Sequence, residues 1–457
     1  MEEVTRLSIQ QGGQEGAIDM PAFVASPWAT GVWKPFATPD RRILLLSIVL
    51  QLPLALLLGH SYDMRIFMAT GYLVGTGHDP YVAQNLSAAF PHISFHAMTA
   101  IGYPPPWPLV LGLLYRVSYA VVPNVLVYNL AIKIPVIAAT IGLAYLVAAL
   151  LQNLGAKPAV ARTVWVFLLL NPALLYFGAA WGQIDVIVAL LSVSALALLY
   201  ARRWQSSAVV LALAVCFKPT ALPILLVAAA YLQRGSWRQA VRYVAVFLAG
   251  ALLFYVAPFF VFGWSRAPFL LHWNSQVAMS GRMSLMAVVR LFHAPLQMQQ
   301  RWWLLGLVWV PALAVGALAL RRGDGGFEDL LNKSTALVLI FFLTRTWLAE
   351  TNVLLLLPLV LILTSMGRLD RRALWAVWIL PLAFTLSCWS PLRLLFPAFP
   401  ETMDKTLRLT MHIQGAMLFV RAALVLAWQV AGWWIVVACL RSGPAPAGEH
   451  AVEELAP

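Results

Sequence analysis

Six acidic residues fall on the side of the chain that the charge pattern makes extracytoplasmic: Asp63, Asp79, Asp185 and Glu350, and then Glu401 and Asp404 in a late loop; four of the six lie at or next to the ends of apolar runs. An ionisable group beside hydrocarbon is expensive to keep, so each is a candidate for chemistry. The plain alternative is a helix-end acid that faces water or pairs with an arginine. Asp63 is the candidate base. It lies in His60-Ser61-Tyr62-Asp63-Met64-Arg65, a few residues after the first apolar run, where a carboxylate at the membrane–water boundary can take a proton from a hydroxyl. Arg65 is either its partner or an interfacial anchor. Three basic residues fall on the same side, against the usual bias: Lys218 before Pro219, Arg282, and Arg345 just ahead of Glu350. Cations beside a cavity suit a phosphate, and arginine offers it a two-pronged fork. Interfacial anchoring is the plain alternative for all three.

Other reactive types give weaker patterns. All the histidines except His450 fall outward, and His92 and His96 have helical i,i+4 spacing, but no third ligand stands near and no metal site is expected from them. Cys216, Cys388 and Cys439 all sit in apolar runs, which reads as inert thiols with no disulfide framework. Asn85-Leu86-Ser87 fits a glycosylation sequon, a match common by chance.

The elements that must position these residues follow from composition. Apolar residues make up 61% of the 457 and charged residues 11%, too few charges to cover a soluble protein of this length. Several runs have the length a helix needs to cross hydrocarbon. The backbone there must satisfy itself, so the expected fold is an all-α polytopic membrane protein. Barrel-type alternation is absent. The net charge of +13 is spread in short basic clusters between apolar runs, the pattern of cytoplasmic anchors and not of a nucleic-acid surface.

Those clusters set a topology. Residues 1–40 read as a cytoplasmic tail with no cleavable signal, touching the interface through Trp28 and Trp33. A first span over 43–59 leads to a long extracytoplasmic loop, 60–125, whose run 106–122 lies along the surface. Spans over 126–151, up to Asn171-Pro172, and over 184–201 follow. Two short helices, 206–217 and 219–232, break at Lys218-Pro219, and a second short pair meets near Glu350. Such breaks at membrane depth line a cavity or are buried in protein. The total is about twelve spans within 41–441, with both ends cytoplasmic. Residues 442–457 read as a disordered cytoplasmic tail.

In order and spacing the motifs resemble the C-type (GT-C) membrane glycosyltransferases. They are most similar in texture to polyprenol-phosphate-mannose-dependent α-mannosyltransferases and to the enzyme that adds the first mannose of glycosylphosphatidylinositol. The likeness spans roughly 43–370. Tyr62-Asp63-Met64-Arg65, Gly77-His78-Asp79-Pro80-Tyr81 and Tyr103-Pro104-Pro105-Pro106 look like the first outer loop of that family. Asn171-Pro172 with Trp181-Gly182-Gln183-Ile184-Asp185 resembles its N-P…G-x-x-D segment. Phe217-Lys218-Pro219 resembles its K-P break, and Leu348-Ala349-Glu350-Thr351-Asn352 a polar stretch between two late helices. The resemblance implies transfer of one sugar, mannose by family, from a polyprenyl-phosphate donor to a lipid or glycan acceptor at the outer face. Asp63 would be the base, and Lys218, Arg345 and Arg282 would hold the donor phosphate. Asp185, Gln183, Trp181, Glu350, Asn352, Asp79 and Tyr103 would contact sugar or acceptor. A single acid stands at Tyr62-Asp63 where relatives often pair two, which leaves a divalent cation (Mg or Mn) open and requires no cofactor.

Membrane lipids are the remaining expected partners, and the expected home is a bacterial cytoplasmic membrane. A secondary transporter or lipid flippase is the rival, since broken helices beside ionisable groups fit transport too. The gathering of candidates at outer ends, and the lack of repeated halves, argue for the transferase. A lipid-binding scaffold subunit is the third reading, and would leave the outer acids dispensable.

Overall fold

The computed structural model describes residues 34–36, 39–82, 86, 88–91, 93, 102–270, 281–289, 306–321, 325–388, 390–401 and 417–441. Most of the N-terminal tail, the C-terminal tail, His92, His96, Asp404 and most of the sequon fall outside them.

The chain is an all-α polytopic membrane protein. Among the described residues, four helical segments are long and apolar enough to cross a bilayer: Val125–Asn153, Pro158–Trp181, Trp237–Val261 and Leu418–Arg441. Shorter apolar helices stand among them at Asp185–Tyr200, Trp204–Phe217, Trp309–Leu318 and Glu350–Ser365. The first helix, α1 (Arg41–Leu57), starts where Asp40 accepts the backbone N–H of Arg42 at 3.0 Å and pairs with Arg162 at 2.8 Å. Then come α2 (Ser61–Gly75) and α3 (Pro106–Val117), packed on each other, and α4 (Val125–Asn153), capped by Asn124. The described residues of the long first loop thus carry α2 and α3, and the stretch 106–122 is helical only to Val117.

Two span edges differ from the sequence expectation. Asn171-Pro172 does not end a span. Asn171 accepts the N–H groups of Ala173 and Leu174 at 2.9 and 3.2 Å, and Pro172 takes the first helical position, so the pair restarts a helix. Segment α5 (Pro158–Leu170) therefore continues through α6 (Pro172–Leu174) into a π-helical stretch, Leu175–Trp181. The helix Phe327–Thr344 is also 18 residues long, not short. The break at Lys218-Pro219 is where the sequence puts it. Lys218 is extended (φ −157°, ψ 124°) between α8 (Trp204–Phe217) and α9 (Leu222–Gly235), as a residue before proline tends to be.

Lipid offers no hydrophobic drive between helices, so close packing does that work. On α10 (Trp237–Ala251), a Cβ at Gly250 would stand 3.0 Å from Ala212 of α8. Its other face leaves Leu248, Leu252 and Leu253 exposed, as a lipid-facing surface does. The ion pairs fall into two groups. Asp40–Arg162, Arg234–Asp329, Lys333–Asp329 and Arg368–Glu328 gather where α1, α5 and the helix Phe327–Thr344 begin. His60–Asp63, Lys218–Asp185 and Arg282–Glu350 gather at the opposite ends of the same bundle.

α1 ends in an unusually tight junction. A Cβ at Gly59 would meet Asn129 Oδ1 at 2.7 Å and Met64 and Pro397 at 2.8 Å. Gly235 has nothing within 4 Å. Gly59→Ala should lower stability by about 1–3 kcal/mol, read as an earlier thermal unfolding transition in detergent, while Gly235→Ala should leave it within about 0.5 kcal/mol.

Candidate functional site

Asp63 opens α2, in the first turn, where the helix dipole favours a negative charge. Its side chain is 17% exposed. Trp181 Nε1 donates to Oδ2 at 2.7 Å, and His60 Nδ1 approaches the same oxygen at 2.9 Å. The His60 ring also stacks on the Trp181 indole, centroids 4.2 Å apart and planes 13° from parallel. Both contacts fall on one oxygen, Oδ2. Burial alone would raise the Asp63 carboxyl. Contact with His60 and the Trp181 N–H, helped by the charge of Arg282, outweighs it and holds the group below the ordinary carboxylate range. Burial holds the His60 ring below its usual value against the pull of Asp63. At neutral pH the pair therefore carries its charge on the carboxylate.

Trp181 ends the π-helical stretch, and Gly182 follows in the left-handed region (φ 95°). Only glycine suits that turn, and a Cβ there would also meet Met64 at 2.6 Å and Lys133 at 2.9 Å. Met64, next to Asp63, is fully buried between Gly59 and Gly182. The glycines thus let one side chain fix where Asp63 points. Beyond the turn, Gln183 accepts from the Tyr103 hydroxyl at 3.4 Å. That hydroxyl is held far above its usual value by burial and then by the charges of Asp63 and Asp185, so it stays a donor among them.

Asp185 and Lys218, expected in separate roles, are one pair: Lys218 Nζ donates to Oδ1 at 2.7 Å and to Oδ2 at 2.9 Å. Nearby, the turn Pro219–Ala221 and the start of α7 (Asp185–Tyr200) pack on the 3-10 turn Glu350–Leu355. Thr220 Oγ1 and Asn352 Oδ1 are buried there without a hydrogen-bond partner, the kind of atom a bound polyol would satisfy.

Arg282 reaches the group by a backbone device. The two-residue strand β1 (Gly281–Arg282) pairs in parallel with β2 (Trp347–Leu348), aligning Arg282 with Leu348. Arg282 is held at φ 56°, a strained conformation for a residue with a Cβ and one that clusters at functional sites. Its guanidinium lies 3.5 Å from Glu350 and over the Trp347 ring, and the Glu350 charge keeps it firmly protonated despite burial. Arg345 lies over the Phe341 ring, 5.2 Å from its centroid. No carboxylate among the described residues pairs with it. Asp79 is used otherwise: it accepts the backbone N–H of Tyr81 at 2.9 Å and of Ser265 at 2.5 Å, latching the first loop to the segment that follows the short α11 (Ala257–Val261).

Sequence reasoning passed over four residues here. His60 stood in the quoted motif without a role. Arg393 lies in a short helix, Ser390–Arg393, tied to the end of α1 by Gly59 N–H donating to Leu394 O at 2.6 Å. The charges of Arg282 and Asp63 both act on it, and nothing local in the sequence signals that. Lys133 and Asn129 are buried on α4. A lone lysine in the middle of a span was a readable signal. Among the described residues no cluster of three or more metal-ligating side chains exists.

The model of glycosyltransferase family 87 matches residues 101–351, more than half of the chain. That range holds Tyr103, Trp181, Gln183, Asp185, Lys218, Arg282, Arg345 and Glu350. Asp63, Asn352 and Arg393 lie outside it. No curated protein matches the chain.

The indole hydrogen bond to Asp63 makes a prediction independent of any reaction. A donor to a carboxylate stabilises its charged form, so removing one must raise its pKa. In protein carrying 13C-labelled aspartate, the Asp63 carboxyl should titrate below ordinary aspartate in the wild type. It should titrate at higher pH in Trp181→Phe. An unmoved titration would mean that the indole contact does not hold in solution.

Proposed function

The chain belongs to glycosyltransferase family 87, and from that premise we propose that it is an inverting transferase moving one sugar, mannose by resemblance, from a polyprenyl-phosphate donor to a lipid or glycan acceptor. Membership makes it a membrane glycosyltransferase; donor, sugar, acceptor and side are our reading. In that reading about twelve spans cross the bilayer with both ends cytoplasmic, and the Asp63 group faces the extracytoplasmic side of a bacterial membrane. The segregation of the Asp40, Asp329 and Glu328 ion pairs from the Asp63 group supports two distinct ends.

One observation carries the proposal: a largely buried carboxylate that accepts the Trp181 indole N–H at 2.7 Å, with Arg282 and Arg393 near enough for their charges to act on it. That couples a base to an anion site. The acceptor hydroxyl would approach Asp63 Oδ1 and lose its proton to it as its oxygen bonds to the anomeric carbon. The bond from that carbon to the phosphate oxygen breaks on the opposite face, and the electron pair leaves with polyprenyl phosphate. Arg282, Arg345 and Arg393 would hold that phosphate as its charge grows. Lys218 keeps one N–H beyond the two given to Asp185 and can add to them. Developing positive charge on the sugar ring would find Asp185 and Glu350 near. Gln183, Trp181, Tyr103, Asn352 and Thr220 would meet hydroxyls of sugar or acceptor, and Asp79 would keep the loop above them closed. A divalent cation (Mg or Mn) arriving with the donor phosphate is compatible with this chemistry.

The test is transfer from radiolabelled polyprenyl-phosphate-mannose into membrane lipid extract by purified protein. The wild type should transfer. Asp63→Asn should lose about 10²–10⁴-fold in turnover with donor binding retained. Transfer at the wild-type rate by Asp63→Asn would remove the base. No transfer from mannose or glucose donors would count against the donor and sugar proposed here.

A further inference from the structure

We propose that Lys133 is a positioning residue, whose amino group ties the end of α1 to the Trp181 turn and so sets the aim of the indole N–H at Asp63. The consequence for turnover rests on the transferase reading above; the structural part does not.

Lys133 lies in the interior of α4, in a segment apolar enough to cross the bilayer, and is completely buried. A lysine is about the least favourable residue to bury there without a task. No carboxylate pairs with it among the described residues. Its Nζ donates instead to two backbone carbonyls, Ala180 O at 2.9 Å and Leu58 O. These belong to the last turns of two different elements. Leu58 closes α1, and Ala180 stands one residue before the end of the π-helical stretch. The last carbonyls of a helix have no partner within it and carry its partial negative charge, so the amino group satisfies both ends at once.

One turn earlier on the same face, Asn129 Nδ2 donates to Ala55 O, Leu56 O and Leu58 O at 2.6, 3.1 and 2.8 Å. Asn129 therefore fixes the end of α1 alone, and Lys133 is the group that adds the second element. What the link joins is the site. His60 and Asp63 follow Leu58 directly, and Trp181 follows Ala180. His60 N–H also donates to Trp181 O, at 3.4 Å, and the indole N–H reaches Asp63 at 2.7 Å. The Lys133 stem lies where a Cβ on Gly182 would be, 2.9 Å from it. A packing role alone would be met by methionine. Two N–H groups on two carbonyls are what methionine cannot supply.

The test is Lys133→Met in 15N-tryptophan-labelled protein, with the Trp181 indole resonance identified by its loss in Trp181→Phe. In the wild type that N–H should lie downfield and move when Asp63 is changed to Asn. In Lys133→Met it should move toward the position of a free indole. Turnover should fall about tenfold or more with donor KM changed less than about twofold, and the acid limb of the rate profile should move to higher pH. A Trp181 resonance at its wild-type position in folded Lys133→Met would overturn the proposal, whatever the chain catalyses. A shifted resonance with no transferase activity in the wild type would uphold the positioning and count against the reaction. If Lys133→Met does not accumulate folded, Lys133→Gln, which keeps one donor, is read in the same way: a partial shift supports the link and an unmoved resonance overturns it.

Discussion

A carboxylate buried inside protein stays ionised only where protein N–H groups replace the water it has lost. Much of the site's geometry serves that condition at Asp63. The Trp181 indole and His60 take one oxygen, and the helix that Asp63 opens adds its dipole. The indole can reach only because the segment after Asn171 continues as a helix, shifts to π geometry, and ends on a left-handed glycine. A π stretch re-aims the residues that follow it, and such bulges recur at functional sites.

The cationic side is assembled from distant segments. Arg282 arrives through a two-residue parallel pairing with the stretch before Glu350, and Arg393 through a backbone bond to the end of α1. Neither device relies on a long element. Both place guanidinium groups where an anion could meet Asp63, and Glu350 offsets part of the repulsion between them. Lys218 is different. Its bidentate contact with Asp185 makes that pair nearly neutral, so the excess positive charge of the region sits on arginines.

Much of this was legible in the sequence because membrane burial punishes ionisable groups. Asp63, Asp185, Lys218, Arg282 and Glu350 stood out against apolar surroundings, and the structure brings them into contacts at one end of the bundle. The helix break at Lys218-Pro219 was readable from proline chemistry. Asn171-Pro172 misled for the same reason: proline after asparagine marks an interruption, but whether a span stops there or a helix restarts is decided by what packs beyond it. The pairing of Lys218 with Asp185 and the arrival of Arg393 depend on tertiary placement that no local pattern encodes. Lys133 was visible as a lone charge in a span, and its meaning needed the two carbonyls it reaches.

The most direct test of the central claim is to see where a polyprenyl phosphate binds. A cryo-electron-microscopy structure of the protein in lipid nanodiscs with a polyprenyl phosphate would do so. The account predicts phosphate density against Arg282 and its neighbouring arginines, on the side of the Asp63 carboxylate that carries Oδ1. Density for the phosphate at the opposite end of the bundle, among the Asp40 and Asp329 ion pairs, would contradict it.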